Sequence, residues 1–364
     1  MSEAGMQAPS EAPQQVAPTH HQFEFHGTGG EFFGIWIVNL ALTVLTLGIY
    51  SAWATVRTRR YFRGNTVLAG HSFEYHASPV RILIGRLIAI ALLVGYNVSV
   101  AFSPYALIVW FPLFLIAFPW LITSSLRFNA RNTSYRNVRF NFTGSYGGAF
   151  KAYILWPIVG ILTLGLLMPL ARRATDYYYV NHHTYGGRPF ETNFSGWQIY
   201  AIFLIGFAIA ILMVFVGGIF FGGFIAALAS HTPSNGQPIP PAMMSMIFLI
   251  GVSIEIAFIV LALAIATMVF NLVVRSTMLD GRHKLGAKLS PVAVPWIMIT
   301  NILLTMFTLG IFYPWAQVRI ARYRIKHISL TAMGDLDDFT SEAFGTQSAV
   351  GEEIAGFFDL DFGL

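Results

Sequence analysis

There is no cysteine among the 364 residues, which excludes disulfides, thiolate metal centres and cysteine nucleophiles. Charge is scarce as well: only 11% of residues are Asp, Glu, Lys or Arg, where a soluble domain carries about a quarter. With 55% hydrophobic residues and a mean hydropathy of +0.61, the composition is that of an integral membrane protein. No Lys or Arg precedes Arg57, so the basic n-region of a cleavable signal peptide is missing and the first apolar segment is expected to act as its own targeting signal. No Walker loop, GxSxG elbow, HExxH pair or intramembrane carboxylate pair occurs, and the histidine pairs His20/His21, His71/His76 and His182/His183 fall in tails or turns. No catalytic residue, metal or cofactor is therefore expected, and an enzyme is disfavoured.

Basic residues are absent from the C-terminal end. All 22 Lys and Arg lie between Arg57 and Lys326; 9 of the 17 acids precede Lys326, and 8 acids with no base follow it. A basic membrane-proximal body suits anionic lipid headgroups, although positive-inside bias alone produces the same pattern. The acidic tail can fold back on that basic face. Nucleic acid is not an expected partner.

Apolar runs long enough to cross a hydrocarbon core of roughly 30 Å cover residues 82–102, 105–126, 197–229 and 243–274. Three shorter runs, 32–53, 149–170 and 292–315, each end in a recurring sixteen-residue motif: TLGIYSAWATVRTRRY from Thr46, TLGLLMPLARRATDYY from Thr163 and TLGIFYPWAQVRIARY from Thr308. Gly48, Gly165 and Gly310 can end a helix, and Pro169 and Pro314 resist its continuation. The Trp, Tyr and Arg that follow suit the headgroup level, so the motif reads as a membrane exit followed by an interfacial anchor. Seven residues before the outer threonines stand Asn39 and Asn301; the middle copy has Trp156 there.

After each basic stretch comes a Thr, a turn and an aromatic strand, in which Phe23/Phe25, Phe73/Tyr75 and Phe140/Phe142 alternate with polar residues as half-buried strands do. Asp280-Gly281 is a favoured hairpin dipeptide. The expected fold is an α-helical multi-pass membrane protein with internal repeats, with four to seven membrane segments and short membrane-proximal β-hairpins. Its parts are a disordered tail (1–22), a first unit of motif segment, hairpin, two spans and hairpin (23–148), a second such unit (149–291), a third motif segment (292–330) and an acidic tail (331–364). Two topologies fit. If the motif segments cross, seven spans form two inverted units and the basic residues, Arg86 set aside as snorkelling, divide 14 to 7. If the motif segments turn back, four spans remain and the division is 21 to 0, which the positive-inside rule prefers.

Glu255 is the one acid within a clear span. A carboxylate in hydrocarbon suggests a proton or cation site, or a partner such as Asn97 or Arg86. Glu255, Asn39, Asn301 and Asn97 are thus candidates for a polar path, and Arg57, Arg60, Arg319 and Arg322 for contacts to anionic headgroups. Thr46, Gly48, Thr163, Gly165, Pro169, Thr308, Gly310 and Pro314 are the structural residues of the motif. Gly217, Gly218, Gly222 and Gly223 suggest close helix packing through a small-xxx-small spacing.

The stretch from Phe23 to Tyr61 (FEFHGTGGEFFGIWIVNLALTVLTLGIYSAWATVRTRRY), the later NTxxxG and F-x-F-x-G elements, the third TLGIFYPWA and the tail SAVGEEIAGFFDLDFGL resemble the YjgN family of bacterial inner-membrane proteins, a family of unknown function. The resemblance implies a multi-pass protein of the bacterial inner membrane and supplies no catalytic residues; Leu170 departs from the family's aromatic pattern in the middle motif. It also marks the tail as a docking segment. The expected function is a transporter or lipid-handling protein with a path between the repeat units, the alternative being a non-catalytic scaffold that docks an envelope protein through its hairpins and tail.

Overall fold

The computed structural model describes residues 18–231 and 241–355. Eleven short strands form one antiparallel sheet: β1 (Thr19–Gln22), β2 (Glu24–Phe25), β3 (Thr66–Leu68), β4 (His71–Tyr75), β5 (Thr133–Tyr135), β6 (Val138–Phe142), β7 (His183–Tyr185), β8 (Arg188–Thr192), β9 (Thr277–Leu279), β10 (His283–Ala287) and β11 (Ile328–Ala332). The four hairpins β3–β4, β5–β6, β7–β8 and β9–β10 turn on two residues that both have positive φ, as at Asp280 (+55°) and Gly281 (+63°), the geometry that matches strand twist. At the ends of the strand order, β1 pairs with β11 and β2 with β3. One extended segment, interrupted only at Phe23, therefore joins both edges and nearly closes the sheet into a barrel.

Its interior is packed solid. Leu68, Tyr135, Tyr185, Leu279 and Leu330, one each from β3, β5, β7, β9 and β11, form a buried layer packed against Phe23, Phe73, Phe140, Phe190 and Leu285. The Tyr135 hydroxyl donates to Leu68 O (2.7 Å) and that of Tyr185 to Tyr135 O (3.0 Å); burial drives both phenol pKa values upward.

Five helical pairs leave this sheet and return to it: α1 (Gly29–Leu45) with α2 (Ser51–Gly64); α3 (Pro79–Phe102) with α4 (Ala106–Arg131); α5 (Tyr146–Phe150), a π turn over Lys151–Leu155 and α6 (Trp156–Leu162) with α7 (Met168–Asn181); α8 (Gly196–His231) with α9 (Pro241–Arg275); and α10 (Ala293–Phe307) with α11 (Tyr313–Lys326). A last helix, α12 (Leu336–Ala355), lies on the sheet. Among the described residues four helices, α3, α4, α8 and α9, are long and apolar enough to cross a membrane. Seven spans would put β3–β6 and β7–β10 on opposite sides of the bilayer. A single sheet containing all of them forbids that, so the motif segments turn back.

The motif is the turn itself. Thr46 Oγ1 donates to Leu42 O (2.7 Å), ending α1, and accepts from Tyr50 N (2.9 Å), starting α2. Thr163 and Thr308 do the same with Leu167 N (3.2 Å) and Phe312 N (3.0 Å). The glycines sit at φ of +94°, +88° and +92°, where a Cβ is strained. The leucines just before them, Leu47, Leu164 and Leu309, also have positive φ and are 94–98% exposed. These are the tips of helical hairpins. Trp315 packs on Gly29, where a Cβ would overlap its ring, and beside Phe33. Pro169, Pro314 and Ala52 are buried in the first turn of the returning helices.

The closing tyrosine of each motif locks its pair to the sheet. Tyr61 donates to Thr28 O (2.8 Å), Tyr178 to Ser145 O (2.9 Å), and Tyr323 accepts from Ser290 N (3.0 Å). Thr28 forms a capping box with Glu31 at the start of α1, and Ser145 and Ser290 accept from early amides of α5 and α10. Burial, reinforced by Glu31, pushes the Tyr61 phenol up to about 12.

At both chain ends the structure differs from expectation. Thr19–Gln22, assigned above to a disordered tail, is strand β1 because its partner lies about 310 residues away, where local composition cannot reveal it. Residues 1–17 and the FFDLDFGL end of the tail lie outside the described residues. The acidic segment folds back: Asp337 pairs with Arg136, and Glu342 lies 3.6 Å from Arg188 and 3.8 Å from Arg282. Phe339 meets His283 at 4.3 Å between ring centres. His283 is 1% exposed with neither ring nitrogen bonded, and burial holds its pKa below the usual range.

Candidate functional site

Asn39 and Asn301 are buried, yet neither stands free in a path. Arg57 donates to Asn39 Oδ1 (3.3 Å) and Arg319 to Asn301 Oδ1 (3.2 Å), while Asn301 Nδ2 donates to Ala316 O (3.0 Å). The asparagine of one arm and the arginine of the other, eighteen residues apart both times, brace the hairpin. The middle motif has Trp156 and Ala174 at these places and lacks the brace altogether, so the two positions change together. Arg60 donates to Tyr75 O (3.1 Å) and Arg322 to Gly27 O (2.8 Å). The four arginines thus serve separate joints and do not converge.

Asn97 is exposed and bonds Leu93 O of its own helix (2.8 Å). Glu255 is exposed too and has no bonded partner among the described residues. Twenty residues of α9 separate it from Arg275, about 30 Å at 1.5 Å per residue. That is a full hydrocarbon thickness from the sheet, so Glu255 belongs near the opposite headgroups. It meets neither Asn97 nor Arg86.

Arg86 does not snorkel. It reaches from α3 to two hydroxyls one turn apart on α2, Ser51 and Thr55 (2.8 Å to Thr55). An arginine in a span calls for such a partner, and the Ser51/Thr55 spacing is the signal that could have found it. Beside it opens a cleft of about 460 Å³ between α2, α3 and α4. Its sheet end carries Arg59, Arg81 and Asn129, with Arg86 and Thr55 about halfway along; its other walls are Ile82, Leu92, Leu93, Phe114 and Leu121, and no acid lines it. Arg59 is fixed by the Tyr75 hydroxyl (2.7 Å) and Asn129 Oδ1, whereas Arg81 is exposed without a bonded partner. Arg59, Arg81 and Asn129 had no distinguishing sequence signal, since basic residues end most helices here.

The cleft has a structural cause. At their far ends α3 and α4 are clasped by Trp110 Nε1 donating to Ser99 Oγ (2.7 Å) and by Tyr96 against Trp110 and Phe114. Pro112 and Pro119 interrupt the backbone ladder of α4, which favours a bend. From Arg81 to Leu92 the cleft follows α3 for about 16 Å, half the hydrocarbon thickness. Cations at the headgroup level and one leaflet's depth of apolar wall are the dimensions of an anionic amphiphile.

The family described as "Bacterial protein of unknown function (DUF898)" matches residues 20–357. The chain belongs to this family. It is similar to the inner membrane protein YjgN of Escherichia coli strain K12, 32% identical over 146 residues that make up 40% of this chain and 37% of that protein. The YjgN of Salmonella typhimurium strain LT2 is 24% identical over 360 residues, 87% of this chain and 90% of the relative. The match to the Escherichia coli protein thus spans little more than a third of its length. No solved structure matches. With four membrane-capable helices and inner-membrane relatives, this DUF898 member is a multi-pass protein of the bacterial inner membrane.

Proposed function

We propose that the protein is a non-enzymatic lipid-handling protein that holds an anionic lipid of the sheet-side leaflet in the cleft between α2, α3 and α4. The observation that carries this reading is the cleft's polarity: Arg59, Arg81 and Arg86 in its sheet-side half, hydrocarbon walls along the rest, no acid. We read the four strand hairpins and the five helical pairs as repeats of one unit, with the TLG pairs inserted part-way and the two long pairs crossing. All basic residues then fall on the sheet side, which the positive-inside rule assigns to the cytoplasm. A route through the barrel is disfavoured by its filled interior, so the lipid is held or moved along the helical ring.

The test is lipid retention. Purified protein in phosphatidylcholine nanodiscs doped with phosphatidylglycerol should enrich the anionic lipid, read by native mass spectrometry. The double variant R81Q/R86Q should lose about tenfold in that enrichment, equivalent to ~1.4 kcal/mol; unchanged enrichment would sink the assignment. The scaffold reading draws on a different observation, the acidic α12 seated on Arg136, Arg188 and Arg282, and predicts that deleting α12 releases a protein partner while leaving lipid retention intact.

A further inference from the structure

Under the sheet, at the centre of the helical ring, two cavities of about 430 and 630 Å³ share Phe140, Tyr179 and His183 as lining residues. Their roof is the lower layer of the barrel core, Phe23, Phe73, Phe140, Phe190 and Leu285. Both volumes fall in the range that small ligands occupy. The chamber is distinct from the lipid cleft and touches it only at Asn129, which lines both.

The charges in this chamber do not cancel. Asp176 is answered by Arg172 at 2.9 Å. His183 holds Tyr179 O through Nδ1 (2.5 Å), and burial lowers its pKa, keeping the ring neutral. Arg63 has no such answer. Its Nη1 is fully buried with no hydrogen-bond partner, and its guanidinium rests 4.6 Å over the Tyr75 ring. The groups that act on it are Tyr75, Arg59 and Tyr179, with no carboxylate among them, and burial lowers its pKa. A buried cation without a counter-charge is costly, and a cavity adjoins this one.

We infer that the chamber is a binding site for one anionic amphiphile, its carboxylate or phosphate on Arg63 and its chain along the aromatic layer beneath the sheet. The headgroup completes the missing ion pair, and the Phe-lined roof takes the tail. Tail length is bounded by the chamber, so a single-chain ligand fits better than a two-chain lipid. This assignment does not depend on the cleft, and its test separates the two sites.

The probe is a diazirine-bearing palmitic acid added to the full chain in phosphatidylcholine nanodiscs, with crosslinked peptides mapped by mass spectrometry. Labelling is expected on the segments carrying Phe140 and Tyr179. Protection by lauric acid or by lauryl phosphate supports the site and says which headgroup it prefers; dodecanol should protect far less. R63Q should reduce labelling at least tenfold and R63K should restore most of it, while R81Q/R86Q leaves it unchanged. A diazirine fatty alcohol should label R63Q and the parent chain alike, which shows that the chamber survives the substitution. Labelling spread over lipid-facing residues, or protection by dodecanol equal to that by lauric acid, would overturn the proposal, and neither readout requires a variant.

Discussion

The pairs α3/α4 and α8/α9 leave and rejoin the same sheet, yet among the described residues it is the first that lines a cationic cleft. In α8/α9 the helices lie close: a Cβ on Gly206 would come within 2.3 Å of Ile265 Cδ1, and Gly217 meets Ile254. In α3/α4 the helices meet at their far ends and part towards the sheet, and a Cβ on Gly85, which lines the cleft, meets nothing within 4 Å. Lipid gives apolar helices no hydrophobic reason to associate, so contact depends on small residues and shape. One pair uses that contact for support. The other gives it up where three arginines need a counter-charge.

The largest effect that would break this contrast is on stability. G206L forces a side chain into the α8/α9 seam and should cost about 1–3 kcal/mol, lowering the melting temperature in nanodiscs while phosphatidylglycerol retention per folded molecule stays the same. An unchanged melting temperature would mean that α8/α9 is no tighter than α3/α4. G85L sharpens the contrast from the other side: the leucine fills the cleft, so anionic-lipid retention should fall several-fold with the melting temperature preserved. Retained lipid in G85L would move the headgroup site elsewhere. The smallest effect is at Glu255, exposed and unpartnered on α9; E255Q should alter stability by no more than about 0.5 kcal/mol, and a larger loss in a thermal melt would reveal a partner in the outer part of that pair.

What the sequence revealed of this arrangement follows from how locally each feature is written. Four spans are legible as apolar runs, and the TLG turn is legible because threonine, leucine and glycine act within five residues of one another. The hairpins announced themselves through Phe-x-Phe alternation and Asp280-Gly281. The contacts of the motif were not legible because Tyr61, Trp315 and Arg57 have partners in other segments, at Thr28, Gly29 and Asn39, and interfacial anchors have the same composition. The small-xxx-small pair Gly218/Gly222 faces open space, and the glycines that pack are Gly206 and, more loosely, Gly217, because spacing does not say which helix face a neighbour covers. Arg63 carried no sequence signal at all, and only the fold distinguishes Arg86, held by two hydroxyls, from Arg63, whose buried Nη1 has no hydrogen-bond partner.

The pairing of β1 with β11 has a consequence for biogenesis. His20 sits opposite Thr331, so a segment that leaves the ribosome before all five helical pairs waits for one that follows them before its hydrogen bonds are made. Every helical pair must be inserted in the meantime, and ring closure is a late, long-range step of the kind that slows folding. Until it happens, β3 and β11 are open edges able to accept a strand from a neighbouring nascent chain. The N-terminal strand thus works as a latch, and its removal should trade monomers for strand-swapped oligomers.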